Sequence, residues 1–196
     1  MAVFDSCDDA ALWIISAGVK SVDTTIFVTA PGSIKVDIPA GPWNVYLDRY
    51  VPLAQDRSAT PIWSFWVRVS DPTKMLRATI WYETATGLVS VHYLLTGLLA
   101  ETWQQITLDL RNPGAEGVIP DLTKFRGFGL VYTLQSTAGV LRVDQIEATS
   151  AVLPKGFLEI HATINGVEAN LSGSIIETGT TFTLSLIHIS EPTRPY

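Results

Sequence analysis

The sequence predicts an all-β fold, a two-layer antiparallel β-sandwich, on three observations. Apolar and β-branched residues alternate with polar ones at a period of two, the spacing that sends successive side chains to opposite faces of a strand. Gly, Pro, Asn and Asp interrupt these runs at short intervals, as turns do. No stretch long enough for a globular helix carries a clean helical repeat. Roughly nine strands at such spacing fit a sandwich.

The central stretch is Ile62 to Thr84. It reads as two strands joined by a polar turn at Ser70-Asp71-Pro72-Thr73-Lys74. In the first strand Trp63, Phe65, Val67 and Val69 share one face, with Ser64, Trp66, Arg68 and Ser70 on the other. The second places Leu76, Ala78, Ile80 and Tyr82 on the apolar side and Arg77, Thr79, Trp81 and Glu83 opposite. Two tryptophans, Trp66 and Trp81, thus stand on polar faces, where large apolar side chains are unfavourable unless covered.

Before this pair, Phe4 to Asp9 forms a strand end and an acidic turn, and Leu12 to Ile15 and Val19 to Val22 flank the turn residue Gly18. Thr24 to Val28 and Ser33 to Ile38 follow as short β-branched runs split by Ala30-Pro31-Gly32. Trp43 to Leu53 is extended, and Pro52, which cannot donate to a ladder, pushes it to an edge or an irregular connection. After the pair come strands at Leu88 to Leu95, Trp103 to Leu110, Phe128 to Leu134 and Val140 to Ala148. Pro113 to Asp121 is a loop, and Leu122 to Phe125 at most a helical turn.

Composition bounds the function. The chain has 196 residues, 47% hydrophobic and 16% charged, enough for one ordinary domain and part of a second. A net charge of -6 without visible Lys/Arg clusters argues against a nucleic-acid partner. The sole cysteine, Cys7, excludes an internal disulfide framework, and its acidic neighbours disfavour the thiolate a nucleophile needs. The longest apolar run, Val89 to Ala100, is too short to span a bilayer and contains His92, Thr96 and Gly97, so no membrane insertion is expected. The N-terminus carries no basic region followed by an apolar core; the expectation is a cytoplasmic chain, or a gene start that lies elsewhere.

The order FDSCDDAALW, GSIKVDI, IWSFWVRVSD, LRATIWYE, ETWQQITLDLRNPG, FRGFGLVYTL and VLRVDQIEA resembles the jelly-roll carbohydrate-binding modules of the galactose-binding-like superfamily, over residues 3 to 149. The sequence departs from that pattern at Gln145, where a second acid is expected, and at Arg142, where an apolar residue is usual. The resemblance implies a jelly roll over residues 1–149. It also implies a structural Ca²⁺, with Asp5 and Asp144 facing each other at one edge and Asp8 or Asp9 assisting. The alternative for these aspartates is a turn in which they cap backbone N–H groups.

Residues 150–155 read as a linker. Gly156 onward resembles the opening two strands of small PEGA or carboxypeptidase-regulatory-like sandwiches, with Asn165-Gly166 as a type I′ hairpin turn. An incomplete domain over 156–183 cannot close a core and is marginal alone. Leu184 to Arg194 resembles the conceptual translation of a transposase sequencing adapter, so residues 184–196 are expected to be artefactual and the sequence to come from environmental reads. The other reading is a genuine strand, LSLIHIS, with a Pro-rich end.

The candidate ligand-binding residues are Trp66, Arg68, Arg77, Trp81, Glu83 and His92, with Ser90 beside them, expected on adjacent strands of one sheet. Sugars present flat apolar faces ringed by hydroxyls, and a binder supplies aromatic platforms with polar side chains in the ring plane. Alternatively Trp43 to Leu53 covers this face and both indoles are core. No nucleophile elbow, HExxH helix or cysteine pair is present, and Glu83 with Asp109 is the one carboxylate pair that could be drawn for glycoside hydrolysis. A non-catalytic module of a longer multidomain protein, binding carbohydrate or another surface ligand, is the leading expectation. The others are a structural or adhesion module of a virus-like particle or surface appendage, and an accessory jelly roll of a carbohydrate-active enzyme.

Overall fold

The computed structural model describes residues 2–41, 44–132, 138–150, 157–164 and 167–174. The chain divides into two compact units, Met1–Ala151 and Val152–Tyr196. The first is a sandwich of two antiparallel sheets, as the alternation requires. Its strands are β1 (Ala2–Asp5), β2 (Ile14–Ile15), β3 (Val19–Asp23), β4 (Ser33–Ile38), β5 (Val45–Gln55), β6 (Ile62–Val69), β7 (Met75–Thr84), β8 (Gly87–Leu94), β9 (Gln104–Asp109), β10 (Phe125–Tyr132) and β11 (Gly139–Thr149).

One sheet runs β3-β4-β11-β6-β9, with β1 taking over from β4 along the same side of β11. The other runs β2-β5-β10-β7-β8. Pro52 is tolerated because β2 pairs only with Leu47 and Asp48, leaving that half of β5 on an edge. The expected strand at Thr24 to Val28 is instead a loop, since the Asp23 carboxylate accepts the Thr25 and Ile26 N–H groups and turns the chain away from pairing. Leu12 closes a single 3-10 turn, Ala10–Leu12, before the short β2.

The central pair holds the main surprise. β6 and β7 alternate as expected, with Trp63, Phe65, Val67 and Val69 buried on one strand and Ala78 and Ile80 on the other. They do not pair with each other: β6 lies between β11 and β9, and β7 between β10 and β8. The Ser70–Lys74 turn is an arch from one sheet to the other. It is tied to β11 by Ser70 N–H donating to the Val140 carbonyl at 2.9 Å and to β10 by the Tyr132 hydroxyl donating to the Asp71 carbonyl at 3.2 Å. A period of two fixes which face of each strand is apolar, but two strands facing one core from opposite sides satisfy it as well as a hairpin does.

Between the sheets the core centres on aromatic rings. Trp63 lies 4.9 Å from Phe125 and stacks at 6.2 Å on Phe128, while Phe65 meets Phe128 edge-on at 5.0 Å. Phe4 on β1 closes the cluster against Trp63 at 5.0 Å. Each fully buried ring contributes on the order of 2–3 kcal/mol by leaving water.

The second unit contains β12 (Phe157–Ile164) and β13 (Val167–Ser174), paired antiparallel from Phe157↔Ser174 to Ile164↔Val167. The Asn165-Gly166 turn, residues 151–155 of the linker, Gly156 and the adapter-like tail lie outside the described residues.

Candidate functional site

Because β6 and β7 belong to opposite sheets, the six candidate ligand residues do not form one constellation. Trp66 and Arg68 stand on the outer face of the β11 sheet, and Arg77, Trp81, Glu83 and His92 on the outer face of the β10 sheet. The expectation of adjacent strands in one sheet is corrected accordingly.

On the β11 face, a loop of the chain is tied to the sheet beside the candidates. Asp144 shares a row with Trp66, and its Oδ2 accepts the Val28 and Thr29 N–H groups at 2.7 and 2.9 Å, which draws the loop after β3 over the sheet. Arg142 occupies the expected apolar position because it pairs with Asp23 at 2.9 Å, both nearly buried. Burial alone would raise Asp23, but hydrogen bonds from Thr25, Arg142 and the Ile26 N–H hold it well below the usual carboxylate range. Arg68 is engaged by Glu101 through both its carboxylate, at 2.7 Å, and its carbonyl. Arg68, Arg142 and Asp144 therefore belong to a structural network, and Trp66 stands half-buried in the same row as Asp144.

The β10 face is built differently. Register places Tyr50, Gly127, Trp81 and Ser90 in one row across β5, β10, β7 and β8; Asp48, Gly129, Thr79 and His92 in the next; and Tyr46, Val131, Arg77 and Leu94 in a third. The central strand β10 thus presents glycine in two successive outer rows. An added Cβ at Gly129 would come within 2.0 Å of Asp48 Oδ1, and at Gly127 within 2.6 Å of the Arg49 carbonyl. Flanking strands are about 10 Å apart across a middle strand, yet Trp81 Nε1–H donates to Asp48 Oδ1 at 2.9 Å. The indole therefore reaches over the glycine strand, with Tyr50 against it at 5.6 Å between ring centroids. Both rings are half-buried.

β5 does not cover this face, as one sequence reading had it. It is part of the sheet and contributes Tyr46, Asp48 and Tyr50, which sequence reasoning missed; their alternation within Val45 to Val51 was the available signal. Burial raises the Asp48 carboxyl, an effect that hydrogen bonds from Trp81 and Tyr50 and the nearness of His92 only partly offset. Tyr50 in turn is pushed up to about 12 by burial and by Asp48. Glu83 pairs with Arg126 at 2.8 Å, and His92 Nδ1 bonds Glu116 from the loop before β10. Arg77 Nε and Thr79 Oγ1 are buried with no partner.

Asp109 lies on β9, in the sheet opposite Glu83, and its carboxylate is held by Arg111. Burial raises the Cys7 thiol, and Asp5 and Asp144 raise it further, which disfavours the thiolate. A cavity of 490 Å³ lined by Gly18, Asp37, Pro39 and Ser70 gathers none of the candidate residues.

The expected calcium pair divides under a test of fit. Asp5 has both oxygens occupied, one by the Cys7 N–H at 2.8 Å and one by Arg49 Nε at 2.7 Å, and does not suit an ion. Asp144 is fully buried and its Oδ1 has no partner; burial raises this carboxyl, an effect that hydrogen bonds from the Thr29, Val28 and Gln145 N–H groups only partly offset, with the charge of Asp8 adding to the rise. Among the described residues no three His, Cys, Asp or Glu side chains converge.

The sandwich with two differently used outer faces can be set beside solved structures. The fold matches carbohydrate-binding modules. The family 11 module from Clostridium thermocellum, solved in complex with a beta-1,3-1,4-mixed-linked tetrasaccharide, aligns with a TM-score of 0.59 at 14% identity, over 76% of this chain and 95% of that one. The family 30 module of the cellulosomal cellulase Cel9D-Cel44B of Clostridium thermocellum aligns with a TM-score of 0.56 at 12% identity, over 67% of this chain and 82% of that one. An exo-beta-agarase contains a matching region, with a TM-score of 0.52 at 10% identity, over 76% of this chain and 24% of that one. At such identities the likeness is one of fold. No protein-family model and no curated protein matches the chain.

Proposed function

We propose that the chain is a non-catalytic carbohydrate-binding module whose ligand lies on the outer face of the β10 sheet. The observation that carries this reading is the Trp81 indole held across Gly127 and Gly129 by Asp48, with Tyr50 beside it. An aromatic ring fixed across a sheet, half-open to solvent and bordered by polar side chains, suits the flat apolar face of a sugar ring. The solved modules of the same fold support the reading, one of them with an oligosaccharide bound. Trp66 and Arg68 leave the proposed site; Tyr46, Asp48 and Tyr50 join it. Binding to a glycan array that vanishes in a folded Trp81→Ala variant and persists in Trp66→Ala is the expected result.

The match to one region of an exo-beta-agarase favours a related second reading, an accessory jelly roll attached to a carbohydrate-active enzyme. Asp109 and Glu83, on opposite sheets and each paired with an arginine, do not form an acid–base pair with each other.

A structural calcium is proposed at Asp144 rather than at Asp5. Its support is the orphaned, fully buried Oδ1 in a carboxylate close enough to Asp8 to feel its charge.

A further inference from the structure

Resting on the proposed binding face, the chemistry of Arg77 narrows the class of sugar. Seven arginines lie among the described residues. Arg49, Arg68, Arg111, Arg126 and Arg142 each hold a carboxylate at 2.6 to 2.9 Å. Arg57 bonds the Gln55 side chain at 2.6 Å. Among the described residues Arg77 has no such partner, and its Nε is buried and unbonded. In a chain of net charge -6 a guanidinium with no carboxylate partner among the described residues is out of keeping with the other arginines described.

Its surroundings sharpen the point. Two residues along the same face, the Thr79 hydroxyl is also buried without a partner. Arg77 Nε and Thr79 Oγ1 are closed to solvent, so a ligand acceptor meets the remainder of the half-buried Arg77 side chain. Arg77 shares its row with Tyr46, Val131 and Leu94, none of them acidic. The nearby acids are largely compensated: Glu83 pairs with Arg126, Glu116 bonds His92, and one Asp48 oxygen accepts the Trp81 N–H. Of the acceptors a polysaccharide carries, a carboxylate fits the planar guanidinium fork best, through two parallel charge-assisted hydrogen bonds.

We propose that Arg77 receives the carboxylate of a uronic acid residue, so that this face selects acidic polysaccharides over neutral ones. The partners already described set the rest of the geometry: sugar rings stack on Trp81 and Tyr50 while the acidic substituent is held one or two rows along β7.

The experiment compares binding of the whole chain to polygalacturonate and alginate, each beside the same polymer with its carboxyls reduced to primary alcohols, and to neutral mixed-linked β-glucan. The expected result is binding at least about tenfold tighter to one of the two acidic polymers than to its reduced form. That preference shrinks as salt rises. Arg77→Gln, checked for folding by circular dichroism, collapses it, Arg77→Lys retains part of it, and Trp81→Ala weakens both members of the pair. Binding to neutral or reduced polymers that is Trp81-dependent but indifferent to Arg77→Gln overturns the uronate inference and leaves the carbohydrate reading standing. Absence of binding to every polymer by a folded protein overturns both.

Discussion

Trp81 and Asp48 meet at 2.9 Å across an intervening strand, and they can do so because that strand carries glycine at both positions beneath them. The contact joins residues 33 positions apart in sequence. It turns an aromatic on a polar face into a fixed surface, and it leaves a carboxylate partly out of water.

The carboxylate has a consequence for stability. Burial raises Asp48 above its unfolded value, so the native state holds its proton more tightly than the unfolded chain does. Its contribution is therefore most favourable at low pH, and stability is lost as pH rises from about 4 through the folded value. Asp48→Asn, which keeps an acceptor for the Trp81 N–H, removes this term. Melting temperatures between acid and neutral pH should show the variant gaining on the wild type as pH rises, with its advantage largest near neutrality.

Gly129→Ala tests the floor of the site. A methyl group there collides with Asp48 Oδ1, which must move and release Trp81. Overpacking of this kind costs about 1–3 kcal/mol. Urea denaturation should show that loss, together with a change in tryptophan fluorescence as the indole is freed.

The core prediction is independent of any ligand. Trp63 is fully buried and contacts Phe4, Phe125 and Phe128. Trp63→Ala should destabilise by about 3–5 kcal/mol, and Trp66→Ala, half-buried on the outer face of the same strand, by less. Denaturant midpoints of the two variants decide the order.

The arrangement at Asp144 is tested by calcium. Added calcium should raise the melting temperature and chelator lower it, and Asp144→Asn should abolish the response. Asp5→Asn should lower stability through the lost Arg49 pair yet preserve the calcium response. A response that survives Asp144→Asn removes the proposed ion.

How far the sequence is legible depends on the range of the forces involved. Period-two alternation is local, and it correctly assigned Trp63, Phe65, Val67, Val69, Ala78 and Ile80 to the core. The partner of a strand is not local: β6 and β7 each pair with β11 or β10, far along the chain, and nothing in the Ser70–Lys74 turn distinguishes an arch from a hairpin. The loop at Thr24 to Val28 escaped for a related reason. β-branched residues favour strands, but two aspartates, Asp23 and Asp144, capture the backbone N–H groups that a strand would need. At the candidate site Trp81, Arg77, Glu83 and His92 were visible as polar-face residues of their strands. Asp48 was not, because its role exists only when Gly127 and Gly129 bring β5 and β7 within reach.

The most direct measurement is equilibrium binding of the intact chain to a panel of soluble polysaccharides, made in parallel on Trp81→Ala and Trp66→Ala with folding verified for each. The account requires binding to at least one polysaccharide, loss of that binding in Trp81→Ala, and retention in Trp66→Ala. Binding that survives Trp81→Ala and disappears in Trp66→Ala would place the ligand on the opposite sheet and contradict it.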